Sequence, residues 1–158
     1  MSIEIARNYL KKFNLDDRIK EFDQSSATVE LAAQAAGVIP ARICKTLSFK
    51  TDDGAVLICA AGDARIDNRK FKDFFKIKAK MLKPEEVVLY TNHEIGGVCP
   101  FGITNEQTKV YSDISMKRFE SMFPACGSSN SAIELSPDEL FEYSNSREWI
   151  DVCKDWQE

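Results

Sequence analysis

The feature that most constrains this chain is a hairpin near its middle. Residues 43–49 read as a strand, Asp52-Asp53-Gly54 supplies the turn, and Ala55–Ala61 returns. Apolar and β-branched arms joined by an Asp-Gly turn favour antiparallel pairing. On the first arm, period-two alternation puts Lys45 on the face of Ile43, Leu47 and Phe49, which predicts that it points inward. An ammonium on an apolar face is costly unless it meets a carboxylate or a bound anion. Lys45 is therefore a candidate anion-binding residue, against the alternative of a side chain snorkelling at the strand end.

The second constraint is Gly96-Gly97-Val98-Cys99-Pro100-Phe101-Gly102, with three glycines and a proline in seven residues. Glycine lets the backbone take positive φ and lets a ligand approach the amides, while proline fixes the loop's direction. Such a loop is either a tight turn between strands or a rigid binding surface of oriented N–H groups. A small polar loop, Gly127-Ser128-Ser129-Asn130, lies downstream.

Patterning elsewhere predicts a first helix capped by Ser2, with Ile5, Tyr9, Leu10 and Phe13 on one face. A short strand over 18–22, a helix over Val29–Ala36 stopped by Gly37, and a single turn at Pro40 follow. Asp67 is placed to cap a helix running to about Phe75, with Phe71, Phe74 and Phe75 inward. Residues 78–82 read as a strand, Pro84 opens a helix ending near Tyr90, and Val110-Tyr111 form a strand. Asp113 or Ser115 starts a short helix, and 122–125 and 132–135 read as strands. Ser136-Pro137-Asp138-Glu139 is a complete helix start, and 147–156 read as an acidic helix. Hairpins mixed with short helices, without regular βαβ alternation, predict an α/β chain of the α+β type with a mixed sheet. The length of 158 residues predicts a single domain spanning 1–158.

The composition, 44% hydrophobic and 29% charged, is that of a water-soluble globular domain. No apolar run approaches the ~18 residues of a membrane helix, and the opening Met1-Ser2-Ile3-Glu4 lacks a signal-peptide core, so a cytoplasmic protein without a membrane partner is expected. Five cysteines at wide spacing, without C-x-x-C, argue against disulfides and zinc. The net charge of −4 hides an asymmetry: residues 65–83 carry eight bases against two acids, and 134–158 carry eight acids against two bases. The basic stretch is either a solvated face or the landing surface for a polyanion.

Common chemistries find little support. His93 is the only histidine and could pair with Cys99 as a thiol nucleophile, but no helix start or basic cluster adjoins Cys99 to lower its pKa. No H-E-x-x-H, Walker A or dinucleotide fingerprint occurs. What remains is a site of backbone amides, one lysine and small hydroxyls, able to bind an anion and a carbonyl and to orient water.

These residues resemble those of the YbaK/EbsC and prolyl-tRNA synthetase-associated editing domains. The matching pieces are Thr28-Val29-Glu30-Leu31-Ala32-Ala33 with Gly37, Ile43-Cys44-Lys45-Thr46-Leu47, and Ala61-Gly62-Asp63 with Arg65, Asp67 and Lys70. They continue with a G-x-x-x-P motif from Gly96 to Pro100, then Gly127-Ser128-Ser129-Asn130, and Ile133-Glu134-Leu135 with Pro137. The resemblance implies a mixed, partly barrel-like sheet with surrounding helices. It also implies trans-editing: hydrolysis of mischarged aminoacyl-tRNA of the Cys- or Ala-tRNA(Pro) type, without metal, cofactor or protein nucleophile. In that picture the loop of Gly96, Gly97, Val98, Cys99 and Pro100 holds the aminoacyl carbonyl and terminal ribose, and a ribose hydroxyl positions the water. Lys45 holds the terminal phosphate. Phe22, Thr46, Gly127, Ser128 and Ser129 line the substrate site, and Arg65, Arg69 and Lys70 contact tRNA. The implied partners are mischarged tRNA and an aminoacyl-tRNA synthetase. The alternative is a non-catalytic module that binds tRNA or a synthetase through the same groove. Where several family members carry an aspartate before Ile-Glu-Leu, this chain has Ala132.

Overall fold

The computed structural model describes residues 2–156, and the cap expected at Ser2 falls on a side chain outside that description. In chain order the first half contains α1 (Ser2–Lys11), β1 (Ile19–Glu21), α2 (Val29–Ala36), β2 (Ile43–Lys50), β3 (Ala55–Ala61), β4 (Arg65–Ile66) and α3 (Asn68–Phe75). The second half contains α4 (Pro84–Thr91), β5 (Thr108–Asp113), β6 (Phe123–Pro124), β7 (Ser131–Ile133), α5 (Pro137–Tyr143), β8 (Ser146–Ile150) and β9 (Cys153–Lys154). The hairpin is the centre of a five-stranded mixed sheet of order β6-β2-β3-β5-β8. Only β2 and β3 run antiparallel, with Lys45 opposite Ala60 and Thr46 opposite Cys59; the other three pairs are parallel. Two ribbons, β1–β7 and β4–β9, flank the sheet. All seven residues of β3 are buried, as its apolar run and central place require.

Local chemistry sets most boundaries. Thr28 caps α2 by accepting from Leu31 N–H, and Gly37 ends it in the left-handed region at φ 72°. The Asp67 carboxylate accepts from Arg69 and Lys70 N–H at the start of α3. Ser136 and Glu139 form the capping box of α5.

Four expectations are corrected. The buried face of α1 is Ala6 and Leu10, while Ile5 and Phe13 are exposed, because the helix lies with its Ala6 side against the core. On α3, Phe71 is buried and Phe75 half-buried, but Phe74 is exposed and meets Phe75 and Tyr111 edge-on. Residues 78–82 make one isolated bridge, Met81 with Phe49, rather than a strand, although Lys50 N–H still donates to Lys80 O and Leu82 N–H to Ser48 O. Residues 147–156 are not helical but carry β8 and β9.

That last reversal has a tertiary cause. β8 lies parallel to β5, Trp149 stacks on Phe141 with centroids 5.3 Å apart, and Ile150, Val152 and Cys153 are buried. The wholly buried Asp113 carboxylate ties the segment down, accepting from Val152 N–H and Ser115 N–H at 3.0 Å each. Pairing at a free sheet edge outweighs a helix-compatible composition.

Removing that carboxylate strands two buried amides. Asp113→Ala should cost roughly 2–5 kcal/mol in urea unfolding, whereas Glu148→Ala, on the exposed side of β8, should stay within about 0.5 kcal/mol. Equal effects would refute the clamp.

Candidate functional site

The site begins with an interruption in hydrogen bonding along one edge of β2. At its start, β2 is covered by β6, with Ile43 opposite Phe123 and Cys44 opposite Pro124. Near its end it is covered by residues 80–82, through Ser48 and Lys50. Those two bonds show that the even-numbered residues turn their main-chain groups to this edge, so Thr46 N–H and C=O face the interval between the two covers. A cleft of about 400 Å³ occupies this interval. It is walled by Ile43, Phe123 and Ala132 on one side and by Leu82, Val87 and Val98 on the other, while Lys45 and Thr46 both reach it from β2. This accounts for neighbours of opposite alternation meeting one ligand space.

Lys45 is half-buried rather than fully inward. Its Nζ makes one long contact, 3.5 Å to Gly62 O, and no carboxylate among the described residues forms an ion pair with it. Burial pulls its pKa below the ordinary lysine value, with Cys153, Asp63 and Glu30 acting in the opposite direction. A lysine so placed is matched to an incoming anion. Two lining residues, Thr46 and Ser26, carry buried hydroxyl oxygens without a hydrogen-bond partner among the described residues. Each such group costs about 1–3 kcal/mol when left unpaired.

The glycine loop forms one lip. Gly96, at φ 96°, and Val98 line the cleft together with Ile95. Gly97 is packed behind them: a Cβ there would lie 2.7 Å from Gly127 C and Ser128 N, so the two loops cross backbone on backbone. Gly127 and Ser128 thus buttress the lip, and Ser128 Oγ bonds Ser131 Oγ at 2.6 Å. Ser129 O accepts from Ser26 N–H, and Phe22 N–H donates to Asn130 O, which holds the 22–26 segment to the same loop. Phe22 itself packs beside Ala32, Ile43 and Phe123. Ser26, Ser131, Met81 and Ile95 were not evident from sequence, since only the assembled loops bring them to the cleft.

Pro100 and Cys99 are buried away from the cleft lining, and the Cys99–His93 pair does form, with Sγ 3.4 Å from Nε2. Its geometry does not suit catalysis. His93 Nε2 lies 2.7 Å from the Phe101 carbonyl, which only accepts, so Nε2 carries the proton and does not serve as base to the thiol. Burial lowers the His93 pKa and pushes the Cys99 thiol up to about 12. All five cysteines are free and buried.

Of the expected tRNA contacts, Arg65 and Arg69 are exposed, but Lys70 is held by Asp151 Oδ1 at 3.0 Å and Cys153 O at 3.2 Å. Lys76, Lys78, Lys80 and Lys83 are exposed on the segment that leads through Met81 and Leu82 to the cleft.

Because its thiol is buried and protonated, Cys99→Ala should keep any activity of the cleft within a few-fold and intact protein should resist iodoacetamide; a loss of about 10³-fold would restore the thiol as nucleophile.

A family model described as an aminoacyl-tRNA editing domain matches residues 23–143. The chain is 54% identical to the uncharacterized protein YwhH of Bacillus subtilis (strain 168) over 99% of this chain and 100% of that one. It is 29% identical to the proline–tRNA ligase of Geobacillus sp. (strain WCH70) over 76% of this chain but only 22% of the ligase. A crystal structure of a candidate trans-editing enzyme for prolyl tRNA synthetase superposes with a TM-score of 0.87 at 27% identity, covering 97% of both chains. With the matched region embracing the hairpin, the glycine loop and the cleft between them, the chain belongs to the aminoacyl-tRNA editing domain family.

Proposed function

We propose that this protein is a trans-editing deacylase that hydrolyses the ester of mischarged aminoacyl-tRNA of the Cys- or Ala-tRNA(Pro) type in the cytoplasm. The observation that carries this reading is Lys45: a half-buried cation without an ion-pair partner among the described residues, at the mouth of a small, mostly apolar cleft. In this reading Lys45 Nζ takes the phosphate of the terminal nucleotide. In the loop from Gly96 to Pro100, Gly96 and Val98 hold the aminoacyl carbonyl and ribose, while Gly97 N–H donates to Glu94 O and Cys99 and Pro100 support the loop from behind. Developing negative charge on the carbonyl oxygen is then met by fixed N–H dipoles that need no reorganisation. A ribose hydroxyl of the substrate orients the water, so the protein supplies position rather than a nucleophile. The acyl group enters the β2 interval.

The reading also relocates the tRNA contact. With Lys70 paired to Asp151, the exposed Lys76, Lys78, Lys80 and Lys83 lead directly to the cleft and fit an incoming acceptor end better than the α3 start. A synthetase could deliver the charged tRNA to this face.

A deacylation panel of mischarged tRNAs tests the proposal. Lys45→Ala should lower kcat/KM by about 10²-fold while circular dichroism stays unchanged. An undiminished rate would remove Lys45 from the site, and tRNA binding without turnover would make the domain a recognition module. Lys78→Ala with Lys80→Ala should raise KM and reduce the salt slope by about 0.7 per lysine. Because the Lys45 pKa is lowered, the protonated form is lost at a pH below the ordinary lysine value. Affinity for a non-hydrolysable analogue should therefore fall on the alkaline side, and Lys45→Arg should abolish that fall.

A further inference from the structure

Lys45 Nζ contacts Gly62 O, and the next residue along the chain, on the loop that leaves β3, is Asp63. That places a carboxylate to pair with Lys45, yet Asp63 makes its ion pair elsewhere. The other carboxylate whose charge acts on Lys45 is Glu30, which is exposed on α2 and lines a separate depression. Asp63 is held by Arg118, the last residue of a short helical turn, Ile114–Arg118, that follows β5. Arg118 Nη2 donates to Asp63 Oδ1 at 2.6 Å and Nη1 donates to Oδ2 at 3.0 Å, so the fork occupies both oxygens.

The guanidinium is itself held from several sides. Its Nε donates to Ser115 O at 2.9 Å, and Nη1 donates also to Trp156 O at 3.2 Å. It lies over the Phe119 and Trp156 rings, 4.8 Å and 5.1 Å from their centroids. A lone surface ion pair contributes little, because two long side chains must be ordered to form it. Here carbonyls and rings already order the arginine, so Asp63 meets a preorganised partner.

We infer that Arg118 is a positioning residue: by holding both oxygens of Asp63 it keeps Lys45 unpaired and open to the anion of the substrate. The inference rests on the deacylase reading of Lys45. Arg118 acts through the lysine rather than on the substrate. Without the fork, Asp63 turns to Lys45, and an incoming phosphate has to displace a carboxylate tethered beside it at high effective concentration.

A double-variant cycle on Arg118→Gln and Asp63→Asn tests this, read by the pKa of Lys45 and by turnover. The lysine is followed by NMR through a 13C-labelled ε-carbon, assigned with Lys45→Arg. Cys153, Arg65 and Glu30 also act on Lys45 and stay in place throughout, so differences across the cycle report on Arg118 and Asp63. Arg118→Gln should raise the Lys45 pKa by about one unit and lower kcat/KM on mischarged tRNA by about ten-fold. Asp63→Asn removes the competitor and should keep kcat/KM within about two-fold; in that background Arg118→Gln should lose most of both effects. Arg118→Lys keeps the charge without the fork, so a smaller rise of the same sign is expected from it, even where Arg118→Gln folds poorly. A clamp that serves the fold alone fails alike in both single variants, since each breaks the same fork. Equal losses in the two, or an unchanged Lys45 pKa in Arg118→Gln and Arg118→Lys, overturns the inference while leaving deacylation in place. The expected pKa cycle in a protein that hydrolyses no ester would sustain the capture of Asp63 and overturn the deacylase reading.

Discussion

The arrangement depends on a strand whose edge is covered at both ends and open in the middle. β6 pairs with β2 through Ile43 and Cys44, residues 80–82 bond it from Ser48 to Lys50, and among the described residues no main-chain pairing covers this edge at Thr46. An unpaired edge is normally a liability for a sheet. Here it is walled by residues of α2 and of the flanking loops, and so it becomes a ligand space. Because the cleft lies on an edge rather than a face, Lys45 and Thr46 can serve it together although they alternate along the strand. The cation and the hydroxyl are thus placed by the hairpin that also anchors the core through β3, so the site stands on the most buried part of the molecule.

The glycine loop depends on the same economy of space. Gly97 crosses the backbone of Gly127 and Ser128 too closely for any Cβ, and this contact fixes the lip that Gly96 and Val98 present. Behind the lip, His93 Nε2 bonds the Phe101 carbonyl and lies 3.4 Å from Cys99 Sγ. The residues that resemble a thiol catalytic pair therefore shape the loop from inside the core, and the elevated Cys99 pKa follows from that position.

Much of this was legible in the sequence where the signal is local. The hairpin, the bounds of α2 and the capping box of α5 follow from turn and cap chemistry that acts over three or four residues. The partial inwardness of Lys45 follows from alternation, moderated because an edge position leaves room for its ammonium to approach solvent. The acidic C-terminal segment misleads because its fold is decided by β5, some 35 residues upstream in the chain, and by the Asp113 carboxylate. Ser26 and Ser131 carry no local signal at all, since each gains its place only when the 22–26 and 127–131 segments are tied together by the Phe22–Asn130 bonds. The Lys70 pairing was likewise invisible, as Asp151 reaches it only through the β4–β9 ribbon.

The central claim is that the open interval of β2 is where an aminoacyl group is received. The most direct measurement is a crystal structure with 5′-phosphorylated, 3′-aminoacylamino-adenosine, a non-hydrolysable form of the charged terminus. The account predicts the aminoacyl group between β6 and residues 80–82, its carbonyl against the Gly96–Val98 lip and its phosphate at Lys45 Nζ. Density for the analogue elsewhere, such as the depression between Glu30, Gly37 and Arg42, with the β2 interval empty, would contradict it.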